Sequence, residues 1–148
     1  DVAAERRETA ALSWLARQGV NEADAVLFTQ EALRVVNDAR FALLFGPASR
    51  AEQPIIGEVN GRNVRGIVDR LAIDDKGVMI FDFKTDRSAP ESAEKAPHAY
   101  VVQLALYRDV LRKIFTDRVV TCALLWTESP RLMELPDARL DAALQALA

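Results

Sequence analysis

The sequence of 148 residues predicts one domain of the α/β (α+β) class, because segments with helical periodicity stand on both sides of segments with strand patterns. Half of the residues are apolar, which suffices for a substantial core at this length. Lys and Arg total 19 against 22 for Asp and Glu, so the net charge of -3 gives no general attraction to polyanions. Any nucleic acid must therefore meet a local basic patch.

Helices are predicted at the start of the chain. The charged, alanine-rich segment Ala3–Arg17 is typical of a helix at the surface. Thr29 is expected to cap a second helix over Gln30–Phe45, because a threonine side chain can accept a hydrogen bond from the first free amides. The pair Gly46 and Pro47 then ends that helix.

A meander of strands is predicted next. Its strands are expected at Pro54–Val59, Asn63–Ile73 and Val78–Thr85. Asn60-Gly61 is a strong signal for a tight turn between the first two strands, and a turn over Asp75–Gly77 joins the next two. The polar stretch Asp86–Pro97 is interpreted as a mobile connection.

The last part of the sequence alternates again between helix and strand. The expected elements are a helix at His98–Phe115, strands at Val119–Trp126 and Arg131–Leu135, and a closing helix at Asp137–Leu147 capped by Asp137. The single cysteine, Cys122, lies in an apolar strand, which rules out an internal disulfide and indicates a reduced, buried thiol in a cytoplasmic protein. No run approaches the roughly 20 apolar residues of a membrane span. Because the first residue is Asp1 rather than Met, the chain is expected to be a piece of a longer protein.

Three charged residues on two strands form the candidate site. Asp82 and Lys84 are two apart, so alternation places both side chains on one face of the strand and Phe81 and Phe83 on the other. If the strand that carries Asp69 pairs with this strand as a hairpin, the two carboxylates converge on one hard cation. Lys84 is then left beside that cation.

The residue types in this cluster suit the hydrolysis of a phosphodiester. Metals held by carboxylates neutralise phosphate charge and lower the pKa of bound water. Asp69, Asp82 and the backbone carbonyl of Phe83 are the expected ligands of Mg²⁺, with Mn²⁺ as a substitute, and Lys84 orients the attacking water or stabilises the developing charge. The alternative is an exposed ion pair between Asp82 and Lys84, which the apolar run before Asp82 disfavours because a buried carboxylate needs a partner.

A second motif lies on the helix that follows the strands. Gln103 and Tyr107 are spaced i,i+4, so they share one helical face and can reach across together. Taken by themselves, Tyr107 is better explained as a core residue and Gln103 as a surface residue of the helix. Trp14 and Trp126 are both expected in the core.

Together these motifs resemble a known family. Gly66-Ile67-Val68-Asp69-Arg70-Leu71, Asp82-Phe83-Lys84-Thr85 and Gln103-Leu104-Ala105-Leu106-Tyr107-Arg108, in this order, resemble the PD-(D/E)XK nuclease superfamily, and within it the RecB-like branch. The likeness extends, with Glu52-Gln53-Pro54-Ile55, to the C-terminal nuclease domains of the AddA subunits of bacterial AddAB helicase-nucleases. It covers residues 50 to 130 well and the flanking helices loosely.

The resemblance implies a restriction-endonuclease-like core, in which a mixed central sheet is flanked by helices. It implies Mg²⁺-dependent DNA exonuclease activity, with Asp69 and Asp82 as metal ligands, Lys84 as the catalytic lysine, and Gln103 and Tyr107 as residues that organise the site and the DNA. The implied partners are DNA ends, a helicase motor on the same parent chain, and a second subunit of an AddAB-type complex that repairs double-strand breaks. The implied location is the bacterial cytoplasm, at the nucleoid.

One family feature has no match in this sequence. RecB-like nucleases carry a metal-binding histidine on a helix before the strands, whereas the single histidine here, His98, follows Lys84. The expectation is that the fragment begins just after the histidine-bearing helix. Glu58 is another source of a carboxylate from the first strand, although a solvent-facing glutamate is the favoured interpretation of that residue. The alternative function is therefore a catalytically weak or inactive nuclease fold that serves DNA binding or subunit docking.

DNA contacts are expected from the backbone only, because nothing resembles a motif that reads bases. A basic rim around the acidic centre is one interpretation of the arginines and lysines near the motifs, and scattered solvated charges are the other. The residues of that rim are Arg62, Arg65, Arg70, Arg87, Lys95, Arg108, Arg112 and Lys113.

Overall fold

The computed structural model describes residues 2–85 and 89–147. The chain divides into two compact units, residues 1–42 and 43–148. That residues 1–148 act as one nuclease domain stays a prediction. The predicted connection Asp86–Pro97 lies partly outside the described residues, and its described part contains a short 3-10 helix at Ala93–Lys95.

The first unit is helical. Its elements are a 3-10 helix at Ala4–Arg6, α1 at Arg7–Arg17, α2 at Glu22–Val36 and a 3-10 helix at Ala39–Phe41. The prediction that Thr29 caps the second helix is wrong, because α2 begins at Glu22 and Thr29 lies buried in its middle. Asn21 is the cap instead, and its side chain accepts a hydrogen bond of 2.9 Å from the amide of Asp24. Trp14 is exposed, so its predicted place in the core is also wrong.

The second unit is built on one mixed sheet of five strands in the order β1-β2-β3-β4-β5. The strands are β1 at Ser49–Val59, β2 at Arg62–Asp74, β3 at Gly77–Lys84, β4 at Val120–Trp126 and β5 at Arg131–Glu134. Neighbouring strands are antiparallel except for β3 and β4, which are parallel and need a long crossover. The helices are α3 at Ala42–Phe45, which spans the boundary between the units, α4 at His98–Ile114, which makes that crossover, and α5 at Asp137–Gln145. The mixed sheet with flanking helices is as predicted.

The predicted helix over Gln30–Phe45 is wrong at both ends, because α2 ends at Val36 and a 3-10 helix and the short α3 follow it. Most other bounds agree with the predicted ones to within two residues, and two further details differ. The first strand begins at Ser49 rather than Pro54, so Glu52 lies inside β1, where its backbone adopts a positive φ of 50°. The closing helix is not capped by Asp137, which is its first helical residue. The Asp137 carboxylate accepts a hydrogen bond of 2.6 Å from Arg108 of α4 instead.

The core of the second unit lies between one face of the sheet and helices α4 and α5. Trp126, Ile80, Leu104 and Leu140 are among its fully buried members. Two glycines let α4 lie directly on the sheet. A Cβ added at Gly57 would come within 2.7 Å of Val110, and one added at Gly66 within 1.9 Å of the Tyr107 hydroxyl oxygen. Among the described residues, no helix is both long and apolar enough to cross a membrane.

Strand β2 changes phase at its centre. Val64, Val68 and Leu71 all belong to the same core cluster, although strict alternation would turn the last of them to the opposite face. The ladder with β3 begins only at Arg70, which pairs with Phe81. Asp69 thus lies where the regular alternation is interrupted, and its side chain is free to turn toward the end of β3.

Candidate active site

Asp82 and Lys84 form an ion pair at the end of β3. Their side chains are only 6% and 13% exposed, so the pair is withdrawn from water. Lys84 contacts Tyr100 of α4, whereas Phe81 stays outside the core cluster that α4 covers. The predicted shared face is therefore confirmed, and the alternative of an exposed surface pair is wrong.

Asp69 reaches the same strand end from β2. Its Oδ2 accepts a hydrogen bond of 2.7 Å from the amide of Phe83, between Asp82 and Lys84 in the chain. The two strands pair as the predicted hairpin. In the turn, the Asp74 carboxylate accepts hydrogen bonds from the amides of Lys76 and Gly77. The structure thus brings both predicted carboxylates to one place.

Burial and charge act together on Asp82. Loss of water raises the pKa of its carboxyl group, the adjacent Lys84 ammonium lowers that pKa, and the Asp69 carboxylate raises it further. The net direction is upward. The effect of burial on this carboxyl group thus outweighs the opposing effect of the Lys84 ammonium.

A divalent cation fits this cluster in charge and in ligand type. Among the described residues, two carboxylates and one ammonium leave a net charge of -1 when all three groups are ionised, and hard cations prefer such oxygen ligands. Within residues 2–85 and 89–147, no group of three or more His, Cys, Asp or Glu side chains is arranged to hold a metal. The remaining ligands of an ion would be water and backbone oxygens, which Mg²⁺ readily accepts.

The described contact of Phe83 involves its amide. That amide faces the Asp69 carboxylate, whereas the predicted metal ligand is the carbonyl of the same residue. The role of the carbonyl stays a prediction.

Gln103 and Tyr107 form a pair of their own on α4. The Gln103 side-chain amide donates a hydrogen bond of 3.4 Å to the Tyr107 hydroxyl, and the Tyr107 ring lies over Gly66 of β2. Gly66 is three residues before Asp69, so this pair rests on the strand that carries the first carboxylate. Among the described residues, no hydrogen bond joins the pair directly to either carboxylate.

Tyr100 is the residue at this site that the sequence reasoning missed. The Lys84 Nζ atom lies 3.7 Å from the centre of the Tyr100 ring, which is a cation–π contact. The signal in the sequence is helical spacing, because Tyr100, Gln103 and Tyr107 follow the i, i+3, i+7 pattern of one helical face.

The other acidic and histidine candidates lie at the surface. Glu58 is exposed on β1, and His98 is exposed in the first turn of α4. Neither residue has a described contact with Asp69 or Asp82. Trp126, by contrast, is almost fully buried, as predicted.

Several residues of the predicted basic rim are buried or engaged with other groups in the structure. Arg108 is fully buried against Asp137 and Asp141, so its predicted place on the helix surface is wrong. Three further members are engaged: Arg112 pairs with Asp137, Lys113 donates to the Glu58 carbonyl and Lys95 pairs with Glu91. Arg70 lies over the Phe45 ring, Arg87 is outside the described residues, and Arg62 and Arg65 are exposed on β2.

Comparison with known proteins identifies the class. The family model of the PD-(D/E)XK nuclease superfamily matches residues 2–145, so the chain belongs to this superfamily. Its mixed sheet and flanking helices are consistent with the restriction-endonuclease-like fold of that class.

Among solved structures, the crystal structure of SSO0001 is similar to this chain. The sequences are 14% identical, the TM-score is 0.45, and the match covers 95% of this chain and 70% of that one. No curated protein matches the sequence.

Proposed function

We propose that this chain hydrolyses phosphodiester bonds of DNA in a reaction that depends on Mg²⁺. The observation that carries the proposal is the convergence of Asp69, Asp82 and Lys84 at one strand end, inside a chain of the PD-(D/E)XK nuclease superfamily. An acidic pair can hold a divalent cation and the adjacent ammonium adds a further positive charge, and both would neutralise the phosphate charge that repels an attacking water molecule.

In this proposal, Asp69 and Asp82 hold the cation together with the Phe83 carbonyl. When bound, the cation neutralises phosphate charge and lowers the pKa of a water molecule. Lys84 donates hydrogen bonds to the attacking water or to the phosphate oxygen on which charge develops. The burial of Asp82 and Lys84 supports these roles, because electrostatic interactions are stronger where water is excluded.

Gln103 and Tyr107 are proposed to organise the site from the helix side. Their hydrogen bond and the close packing of Tyr107 on Gly66 fix the distance between α4 and β2. The exposed arginines Arg62 and Arg65 are proposed to contact the DNA backbone, because they lie on the same strand as Asp69 and form no ion pair within the described part of the chain.

The finer biological setting is also a proposal. The motif order resembles the RecB-like branch, so the chain is proposed to be an exonuclease domain of an AddAB-type helicase-nuclease. It would process the ends of double-strand breaks for recombinational repair, next to a helicase motor on the same parent chain and a second subunit. The bacterial cytoplasm is the proposed location.

A second candidate is a catalytically weak nuclease fold that binds DNA or docks a subunit. The observation that favours it is the small ligand set, because the described residues place only two acidic side chains at the candidate cation site. The two candidates differ in one measurable property, which is bond cleavage.

The test is cleavage of linear single- and double-stranded DNA with Mg²⁺ or Mn²⁺, comparing the chain with its Lys84→Ala variant. Lys76→Ala is the matched control, because Lys76 is an exposed lysine in the turn before β3. Cleavage that is lost with Lys84→Ala and kept with Lys76→Ala supports the proposal.

An upstream extension of the chain distinguishes the second candidate. If the extended form cuts DNA better, a missing upstream ligand explains weak activity. If neither form cuts DNA but both bind it, the docking or binding module is favoured.

A further inference from the structure

Among the residues that the structure describes, the ammonium of Lys84 has two partners of different kinds. One is the Asp82 carboxylate, with which it forms an ion pair, and the other is the face of the Tyr100 ring at 3.7 Å. Since the Lys84 side chain is only 13% exposed, these partners replace most of its hydration.

The two partners respond differently to a cation at the site. A carboxylate that ligates a divalent ion shares its oxygens with that ion, so its attraction for Lys84 weakens. An aromatic face carries no formal charge and no lone pair suited to Mg²⁺, so it keeps its attraction for the ammonium. A lysine held by Asp82 alone would be free to leave once the ion binds.

We propose that Tyr100 is a positioning residue for Lys84, and that its ring keeps the ammonium at the reacting phosphate while Asp82 is engaged with the cation. This inference rests on the proposed nuclease function. It gives a role to Tyr100, which lies on the same face of α4 as Gln103 and Tyr107. Through Tyr100, α4 contacts Lys84 at the end of β3 directly.

The placement of Tyr100 suits this role. It lies in the first turn of α4, and its half-buried side chain packs against the core of the second unit. A ring anchored in this way has few alternative rotamers, so the ammonium above it is held in a narrow range of positions.

The contact itself is tested by NMR of the protein labelled with ¹³C-lysine, which the small number of four lysines makes tractable. The ε-methylene protons of Lys84, assigned with Lys84→Arg, are expected upfield of those of Lys76, Lys95 and Lys113. The shift arises from the ring current of Tyr100 and is expected to persist when Mg²⁺ is added. Coincidence of Lys84 with the other three lysines overturns the inference.

Two kinds of variant isolate the ring. Tyr100→Phe keeps the aromatic face, whereas Tyr100→Leu and Tyr100→Met remove it, and none of the three has the hydroxyl. The upfield shift is expected in the first variant and absent in the other two. Equal Lys84 shifts in all three variants contradict the proposal, and thermal unfolding identifies any variant that has lost its fold.

Cleavage kinetics give a second readout. Relative to Tyr100→Phe, Tyr100→Leu is expected to lose about tenfold in kcat with little change in KM, which corresponds to ~1.4 kcal/mol. A rise in KM with an unchanged kcat contradicts the proposal that Tyr100 positions Lys84. Failure of the nuclease proposal is recognised separately, because then the unchanged chain does not cut DNA although its Lys84 shift is present.

Discussion

Two regions of the second unit bury charged side chains, and the two regions differ in how far neighbouring residues neutralise the buried charge. Arg108 of α4 is fully buried, and it pairs with Asp137 at 2.6 Å and with Asp141 in the first turns of α5. Arg112 adds a second cation, so two arginines face two carboxylates. At the end of β3, the one cation that the described residues place beside Asp82 and Asp69 is the Lys84 ammonium.

The difference lies in the balance of charge. The arginine cluster is neutral within itself and joins two helices, which is what a structural ion pair does. Within the described part of the chain, the aspartate cluster keeps an excess negative charge, of which the Asp82 carboxylate is buried and the Asp69 carboxylate is half-buried. A buried charge that its described neighbours do not neutralise is costly, which supports the proposal that this site binds a cation.

Asp82→Asn is expected to have the largest effect on function. The change removes the buried negative charge while keeping the shape of the side chain, so cation-dependent cleavage should fall by at least about a thousandfold, or ~4 kcal/mol of transition-state stabilisation. Gel assays of end-labelled DNA measure the loss. The unfolding free energy should change by no more than about 1 kcal/mol, and a full loss of fold would remove the contrast with the arginine cluster.

Removing the carboxylates of the arginine cluster should act on stability instead. The double variant Asp137→Asn/Asp141→Asn leaves Arg108 buried without its counter-charges and is expected to cost about 3 kcal/mol of unfolding free energy. This figure is at the low end for a broken buried pair because both carboxylates are half-exposed. Urea unfolding measures it, with Asp117→Asn, an exposed aspartate, as the matched control.

Arg108→Met sharpens this prediction. It removes the buried charge and leaves the half-exposed carboxylates to water, so it should cost less than the double variant. The opposite order would show that the guanidinium matters by its packing rather than by its charge.

Stability should depend on pH through Asp82 when a chelator removes divalent ions. The folded protein raises the pKa of this carboxyl above its ordinary value of 3.8, so the folded state holds the proton more tightly than the unfolded state does. The contribution of Asp82 to the unfolding free energy should therefore fall as the pH rises from about 4 through the folded pKa, and then stay constant.

Asp82→Asn provides the reference for this pH dependence. Its stability advantage over the unchanged chain should grow across the same pH range and shrink when Mg²⁺ is added at neutral pH. A pH-independent difference between the two proteins would argue against an uncompensated charge at this site.

The smallest effect is expected at Cys122, which reports on the arginine cluster. Burial raises the pKa of its thiol to about 12, against a lowering influence of Arg108 and Arg112. A thiol reagent should therefore react with the native protein only as fast as the region opens. Asp137→Asn/Asp141→Asn should speed the reaction of Cys122 and Asp82→Asn should not. Equal rates in the two variants would mean that both clusters control the local unfolding that exposes Cys122.

Sequence patterns predicted the hairpin of the candidate site because the residues that determine it lie close together in the sequence. Alternation placed Asp82 and Lys84 on one face, and the turn between the strands set the register that brings Asp69 near them. The phase change within β2 was not predictable, since no single residue there signals that Leu71 returns to the face of Val68.

Three contacts were missed, one within a short segment and two between elements that are distant in the sequence. The cap at Asn21 was overlooked because Thr29 has the same chemistry, and only the position of the turn before α2 distinguishes them. Arg108 and Asp137 are separated by 29 residues, so their pairing depends on how α4 and α5 pack. Tyr100 contacts Lys84 for a similar reason, although its helical spacing with Gln103 was visible.

The antiparallel arrangement of β2 and β3 has a consequence for the order of folding. Asp69 and Phe83 are only 14 residues apart, whereas β3 meets β4 only after α4 has crossed over. Short loops close at a lower entropic cost, so we expect the two carboxylates to meet before α4 brings Tyr100 to Lys84. Divalent ions should then accelerate refolding in stopped-flow experiments, and a cation-independent rate would mean that the helix docks first.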